Sequence, residues 1–262
     1  MNNPDFKYMS SLLLFGSNGI IASTILLSSH EIVFWRTLVG SLFLLIFFRA
    51  GGGKFTALRY KRHLAYAMIS GAALGVSWIF LFEAYSRIGV SVATLAYYCG
   101  PVLVIAISPL LFGERLTPAK LTGLIAVILG MLFVNGQGLI INGFSWGLLF
   151  GLASAVLYAI MIVFNKKAYK VTGLENALYQ LLMSFVTVAL YTFFRQGAPS
   201  LSVENYLLPI LIFGLVNTAL GCYLYFASIN QLSAGTVSII GYLEPLSALV
   251  FSAVFLQEHL SG

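Results

Sequence analysis

The chain has 262 residues, of which 60% are hydrophobic and only 8% are charged, and its mean hydropathy is +0.95. Because a soluble domain carries charge on about a quarter of its residues, this composition excludes a water-soluble globular protein and predicts a protein embedded in a lipid bilayer. The formal net charge of +6 does not indicate a nucleic-acid partner. The basic residues lie between apolar runs, where they determine the orientation of a membrane protein.

Nine apolar runs are long enough to be membrane spans. A helix needs about 20 predominantly apolar residues to cross the hydrocarbon, and an uncovered strand would leave its backbone polar groups unsatisfied in lipid. The sequence therefore predicts an all-α polytopic bundle. Its spans are expected at roughly 9–27, 32–50, 64–85, 92–112, 119–136, 146–165, 174–194, 207–227 and 235–256.

The distribution of lysine and arginine predicts the orientation of this bundle. If the N-terminus is cytoplasmic, the loops on that side hold eleven of the 14 basic residues, and the opposite loops hold only Arg87 and Arg195. Such an excess marks the cytoplasmic side. We therefore expect a multi-pass protein of the bacterial inner membrane with its N-terminus in the cytoplasm.

A pattern of proline, glutamate and leucine occurs twice, with a constant offset of 144 residues. This recurrence indicates a duplication of one five-helix unit, with copies at residues 1–137 and 138–262. Because five is an odd number, the two copies cross the membrane in opposite senses, as in transporters built from inverted repeats. The repeat requires a tenth helix after residue 262, so we expect nine helices here and a tenth that is truncated. The matched pairs include Pro101 with Pro245, Glu114 with Glu258, and Leu116 with Leu260.

The paired prolines, Pro101 and Pro245, fall inside predicted spans. A proline within a helix removes a hydrogen bond and kinks the helix. Interrupted helices at matching positions of two inverted halves point to a binding site where the halves meet. A kink that serves only packing is the alternative interpretation.

Two ionisable residues inside spans are candidates for function. Glu244 lies near the bilayer midplane, where a charge costs about 2.5–3.5 kcal/mol. It could bind a cationic group, carry a coupling proton, or stay protonated as a structural hydrogen-bond donor. Arg36 lies about one turn inside its span. It could bind a carboxylate or phosphate through two hydrogen bonds, or form an ion pair with Glu83.

Further candidate binding residues are polar or aromatic side chains well inside the spans. Aromatic groups with a polar tip suit a cavity that stacks against a substrate and hydrogen-bonds to it, although we expect about half of these residues to serve packing. Glu114 and Glu258 close helices at membrane boundaries and are expected to act in capping or packing. The candidates are Asn18, Trp78, Tyr97, Tyr98, Tyr158, Asn217, Tyr223 and Tyr242.

Residues for enzyme chemistry are scarce. The only aspartate is Asp5, and His30, His63 and His259 fall in loops or at span ends. The sequence shows no metal-binding motif and no nucleophile–base pair at membrane depth. We therefore expect neither an enzyme nor a metal site, and no cofactor apart from a coupled proton or ion.

The repeated Pro-x12-Glu-x-Leu pattern, from Pro101 to Leu116 and again from Pro245 to Leu260, resembles the EamA-type repeat of the drug/metabolite transporter superfamily. The segment from His30 to Arg36 resembles the second helix of that family, which carries an arginine. The resemblance implies ten helices in two inverted halves, a central cavity, alternating access and export of amino acids or other metabolites. The matching positions are Arg36, Pro101, Glu114, Pro245 and Glu258.

These observations predict a secondary transporter that exports a small metabolite such as an amino acid. Arg36 would bind the carboxylate and Glu244 the ammonium group, or Glu244 would couple a proton. The expected partners are the lipid bilayer and a small-molecule substrate, in a monomer or homodimer. The alternatives are an intramembrane enzyme, a scaffold or sensory subunit that transports nothing, and a channel.

Overall fold

The computed structural model describes residues 3–114, 145–197 and 204–255, together with positions 118, 122, 125 and 129. Within these residues every regular element is a helix. The part up to Gly113 contains five α-helices and a short 3-10 turn at Ala57–Arg59. The helices are α1 (Pro4–Gly16), α2 (Asn18–Ser23), α3 (Ser29–Ala50), α4 (Lys61–Tyr97) and α5 (Cys99–Phe112).

The part after Ser145 contains six α-helices and, inside one span, a π-helix at Phe213–Leu220. Short 3-10 turns at Glu204–Tyr206 and Ile229–Gln231 lie at the two ends of that span. The α-helices are α6 (Trp146–Lys167), α7 (Gly173–Gln196), α8 (Leu207–Ile212), α9 (Gly221–Ser228), α10 (Ala234–Gly241) and α11 (Leu243–Phe255).

Six helical stretches of the described chain are long and apolar enough to cross a membrane. Of the nine predicted spans, the first, the fourth and the last are each divided by a helix break, at Ser17, Tyr98 and Tyr242. The predicted span 119–136 falls on residues of which the structure describes only three. The six stretches are Ser29–Ala50, Lys61–Gly89, Val92–Phe112, Trp146–Lys167, Gly173–Gln196 and Glu204–Gln231.

The outer surface of the bundle is apolar. Leu110 on α5 and Phe194 on α7 expose 87% and 82% of their surface, Leu26 in the loop after α2 exposes 81%, and many further large apolar side chains are exposed on the helices. A soluble monomer rarely exposes contiguous apolar surface on this scale. The chain is therefore an all-α polytopic membrane protein, as its composition predicts.

Helix α4 contains a break that separates two spans. Gly89 has φ 78° and ψ 161°, a conformation that is accessible to glycine and strained for other residues. The 29-residue stretch Lys61–Gly89 therefore ends here, and the next span begins at Val92.

Most of the basic residues lie at one end of the bundle. At this end the loop after α3 contacts the start of α7. Glu175 of α7 accepts hydrogen bonds from two residues of the loop, from Thr56 Oγ1 at 2.6 Å and from the Ala57 backbone N–H at 2.8 Å. His63 Nδ1 lies 2.9 Å from the carbonyl oxygen of Lys167. We call this end, which carries Lys7, residues 49–62 and residues 166–170, the basic end.

The opposite end holds the two remaining loop arginines. Glu83 forms ion pairs with Arg87 at 2.8 Å and with Arg195 at 3.2 Å. The structure thus separates the basic residues between the two ends as the loop assignment predicts.

The pair Gly71 and Gly75 lets α4 approach α7 closely. A Cβ atom built on Gly75 would lie 2.8 Å from the Ser184 backbone oxygen, and one on Gly71 would collide with the backbone of Gln180. Small residues spaced by four allow such backbone contact between membrane helices. This glycine pair therefore serves packing within the chain.

We expect Gly75→Ala to destabilise the protein by about 1–3 kcal/mol, the usual cost of overpacking a close interface. Gly19→Ala is the matched control, because a Cβ at Gly19 would meet nothing within 4 Å. Melting of the purified variants in one detergent checks this prediction. Equal melting temperatures for the two variants would contradict it.

Candidate functional site

A small cavity lies inside the bundle, between helices of the first and second parts of the chain. Its volume is about 40 Å³, enough for a few water molecules at about 10–15 Å³ each. Helices α1, α2 and α4 form one side, and α6, α9 and α11 form the other. The lining residues are Phe15, Asn18, Leu74, Trp78, Tyr97, Tyr158, Met161, Cys222, Tyr225, Phe226 and Glu244.

Glu244 supplies the carboxylate of this central cavity. It is in the first turn of α11, and the positive end of a helix dipole stabilises an acidic group at that position. The helix break before Leu243 places this helix end inside the membrane rather than at its surface. The sequence prediction of Glu244 as a cavity residue therefore agrees with its position in the cavity wall.

Arg36 lies behind the cavity wall instead of lining it. Its guanidinium carbon is 4.1 Å from the centroid of the Trp78 ring and 4.8 Å from that of Phe213. Only 2% of the residue is exposed, and its Nε atom has no hydrogen-bond partner. Contact with two aromatic faces stabilises a desolvated cation. Trp78 thus separates Arg36 from the cavity in this conformation.

The alternative of an ion pair between Arg36 and Glu83 is wrong. Among the described residues, Glu83 pairs with Arg87 and Arg195 instead. Arg36 does interact electrostatically with Glu244, although the two side chains do not form a direct ion pair. Arg36 therefore contributes a positive charge near the cavity carboxylate.

Aromatic side chains form much of the remaining wall. The rings of Tyr97 and Tyr158 lie 5.5 Å apart in an edge-on arrangement. Tyr225 donates a hydrogen bond from its hydroxyl to that of Tyr158 at 3.3 Å, and its ring packs 5.1 Å from that of Tyr8. A carboxylate surrounded by aromatic faces is the arrangement that proteins use to bind ammonium groups.

Tyr98 and Tyr242 lie outside the cavity wall and contact each other. The Tyr242 hydroxyl donates to the Tyr98 backbone oxygen at 3.2 Å, across 144 positions of the chain. Both residues are helix breaks, since α4 ends at Tyr97 and α10 ends at Gly241. Two positions that the sequence pattern pairs therefore meet inside the bundle.

Pro101 and Pro245 each lie in the first turn of the helix that follows such a break. From the sequence, each proline is expected to remove a hydrogen bond from a continuous helix. The structure differs, because α5 starts at Cys99 and α11 at Leu243, and first-turn N–H groups have no partner within a helix. The interruption precedes each proline by three residues.

Two predicted binding residues serve elsewhere. Asn217, on the π-helix, donates from its side-chain nitrogen to the Leu14 backbone oxygen at 2.7 Å and to Ser17 Oγ at 2.8 Å. It thus stabilises the break between α1 and α2. Tyr223 lines a second cavity near the basic end.

Part of the cavity wall is not among the residues predicted from the sequence. Cys222, Tyr225 and Phe226 line the cavity from α9, at the i, i+3 and i+4 spacing of one helix face. That spacing is visible in the sequence, but faces that only pack show it as well.

The family model of the EamA-like transporter family matches residues 5–136 and 145–262. The chain belongs to the EamA-like transporter family. The matched segments cover both sides of the central cavity and confirm the resemblance carried by the repeated proline–glutamate pattern.

Named bacterial relatives of this EamA-like chain are transporters. The uncharacterized transporter YxxF of Bacillus subtilis is 27% identical over 256 residues, which is 95% of this chain and 80% of that protein. A probable amino-acid metabolite efflux pump of Salmonella typhimurium is 26% identical over 244 residues, 86% of this chain and 79% of that protein. The EamA-like chain is therefore a membrane transporter.

A solved crystal structure shares the fold of the EamA-like chain. The two agree with a TM-score of 0.80 at 18% sequence identity, over 99% of this chain and 91% of the other. At this identity the likeness concerns the arrangement of helices.

A carboxylate at the basic end of the EamA-like protein joins its two parts. Glu114, just after α5, accepts hydrogen bonds from the backbone N–H groups of Ala234 at 2.6 Å and Gly235 at 3.0 Å. Ser233 Oγ accepts from the N–H of Thr236 at 3.0 Å, so the first N–H groups of α10 are all satisfied. The expectation of a capping role for Glu114 is confirmed, and the capped helix lies in the second part of the chain. Glu258, for which the same role is expected, lies outside the described residues.

Proposed function

We propose that this EamA-like transporter exports a small amine-bearing metabolite, such as an amino acid, through the cavity at Glu244. The observation that carries the proposal is a carboxylate within the membrane whose surroundings are the aromatic rings of Trp78, Tyr97 and Tyr158. This wall offers charge and π-faces to an ammonium group. The relative named as a probable amino-acid metabolite efflux pump supports the same substrate class.

Transport would proceed by alternating access between two inverted repeats, residues 1–137 and 138–262. The matching helix breaks at Tyr98 and Tyr242, and their mutual contact, support a pseudo-twofold axis close to these residues. An amino acid does not fit into about 40 Å³. The repeats must therefore move apart to admit it, first at one end and then at the other.

The basic end would face the cytoplasm of a bacterium. Only two loop arginines, Arg87 and Arg195, lie at the opposite end, and an excess of lysine and arginine marks the cytoplasmic side of a membrane protein. Export would then run from the basic end to the Glu83 end.

Glu244 would also couple transport to protons. A single carboxylate that holds either a proton or an ammonium group exchanges one for the other, because the low-polarity interior disfavours an uncompensated charge. Arg36, held behind Trp78, adds positive charge that keeps the carboxylate from binding an ammonium group irreversibly.

A ligand panel tests the substrate class. Purified protein is melted with amino acids, simple amines, monocarboxylates and neutral sugars, since a ligand of the folded state raises the melting temperature. Compounds that stabilise it are then tested for counterflow in proteoliposomes. We expect an amino acid to stabilise the protein and to show saturable counterflow. Stabilisation and transport limited to sugars or to compounds without an amine would overturn the proposal, and non-saturable flux would indicate a channel.

A further inference from the structure

A second cavity, much larger than the central one, opens near the basic end. Its volume is about 240 Å³, against about 40 Å³ for the central cavity. It is formed by α1, the start of α7, one face of α9 and the turn that follows α9. Its lining residues are Lys7, Thr172, Gly173, Tyr223, Phe226, Ala227, Asn230 and Gln231.

Two polar groups in this second cavity have no partner among the described residues. The ammonium group of the half-buried Lys7 neither donates a hydrogen bond to a described residue nor pairs with a described carboxylate. Asn230 has both side-chain amide atoms buried without a hydrogen-bond partner. Because native proteins satisfy nearly all buried polar atoms, an amide in this state beside a cavity indicates a ligand that completes its hydrogen bonds.

The surroundings favour an anion. The 24-residue helix α7 begins in the wall at Gly173, and the Thr172 side chain does not cap it, so its positive end faces this region. The ammonium of Lys166 donates hydrogen bonds to the backbone oxygens of Ile229 and Leu232 on either side of Asn230. No carboxylate is among the lining residues.

The second cavity adjoins the central one. Phe226 lines both cavities and is 2% exposed, so this residue lies between them. A rotation of the Phe226 side chain is the smallest movement that connects the positively charged second cavity with the central cavity, which holds Glu244.

We propose that the second cavity is an antechamber that binds the carboxylate of the substrate through Lys7 and Asn230 before the substrate passes Phe226. The cavity would bind a small organic anion. The identification of this anion as the carboxylate of an exported amino acid rests on the proposed function. The existence of the anion site does not rest on it, because anion binding is measured without transport.

The test uses Gln231→Cys as a reporter in the lining, in a chain whose native Cys99 and Cys222 are replaced by alanine. The reporter is labelled with an anionic sulfonate reagent and with a cationic ammonium reagent of the same methanethiosulfonate type. We expect Lys7→Gln to lower the anion-to-cation rate ratio by about fivefold, the factor given by about 1 kcal/mol of charge interaction. Lys7→Arg should restore the ratio. Lys170→Gln is the matched control, because this lysine of the same end lies 4.7 Å from the Tyr60 ring, outside the cavity.

Benzoate serves as the soluble carboxylate probe. It should protect the reporter in the parent chain and fail to do so in the Lys7→Gln and Asn230→Ala variants. Equal rate ratios for Lys7→Gln and Lys170→Gln, or no protection by benzoate in the parent chain, would overturn the proposal. Protection by phosphatidylglycerol in nanodiscs without protection by benzoate would also overturn it, since the cavity would then bind lipid headgroups.

Discussion

Glu244→Gln is expected to abolish amino-acid export while leaving the fold intact. The amide matches the carboxylate in shape but carries no charge, so it cannot compensate an ammonium group inside the membrane. Loss of a charge-assisted hydrogen bond costs about 1.5–3 kcal/mol, which corresponds to roughly a 10- to 100-fold loss in substrate affinity. Proton coupling is lost as well, because the amide does not titrate. The measurement is counterflow and proton-driven flux in proteoliposomes.

The control for this variant is Glu204→Gln, which neutralises an exposed carboxylate at the start of the Glu204–Gln231 span. It should transport like the parent protein. Both variants should melt close to the parent, because Glu244 is not in an ion pair with Arg36 or another described residue. Parental flux through Glu244→Gln across the pH range would remove this residue from the mechanism.

Glu114→Ala is expected to destabilise the protein and to loosen its basic end. The substitution leaves the backbone N–H groups of Ala234 and Gly235 without their acceptor. Hydrogen bonds to a charged group contribute about 1.5–3 kcal/mol, so the melting temperature should fall by several degrees. Because this carboxylate links the first and second parts of the chain, the basic end should also open more often.

Two measurements separate these effects. Melting reports the stability, and labelling of Cys222 by a membrane-impermeant reagent added at the basic end reports the opening. Glu114→Gln retains one acceptor oxygen and should fall between Glu114→Ala and the parent in both measurements. Unchanged melting and unchanged labelling in Glu114→Ala would show that this cap neither stabilises the protein nor holds the two parts of the chain together.

The spans could be predicted closely, whereas the breaks within them could not. Hydropathy located Trp146–Lys167 and Gly173–Gln196 to within about two residues, because a bilayer requires a minimum apolar length. The breaks at Ser17 and Tyr98 fall inside predicted spans and depend on local backbone geometry, whereas the break at Gly89 lies between the predicted spans 64–85 and 92–112. A hydropathy profile carries no information about backbone dihedral angles, so the division of the first predicted span was not foreseen.

Candidate site residues were predicted by their depth in the membrane. Five of them line the central cavity: Asn18, Trp78, Tyr97, Tyr158 and Glu244. The others lie at similar depth without lining the cavity, although Tyr98 hydrogen-bonds to Glu244. A helix that is apolar on all sides gives no periodic signal of which face is buried.

Arg36 and Asn217 show why depth alone is insufficient. Both are polar residues within spans. Arg36 packs against Trp78 and Phe213, and Asn217 donates a hydrogen bond to the Leu14 backbone oxygen, close to the break after α1. Which neighbour satisfies a buried polar group depends on helices that are distant in sequence. The partners of Glu114 could not be predicted for the same reason, although the recurrence of glutamate at position 258 marked Glu114 as a structural residue.

The native thiol of Cys222 offers the most direct test of alternating access at the Glu244 cavity. Cys222 lines this cavity, and in a Cys99→Ala chain it is the only cysteine. A membrane-impermeant thiol reagent is applied separately to each face of sealed vesicles, with and without a transported amino acid. We predict labelling from both faces, and slower labelling from both when the amino acid is present. Labelling from one face only, or labelling that the amino acid does not affect, would contradict this mechanism.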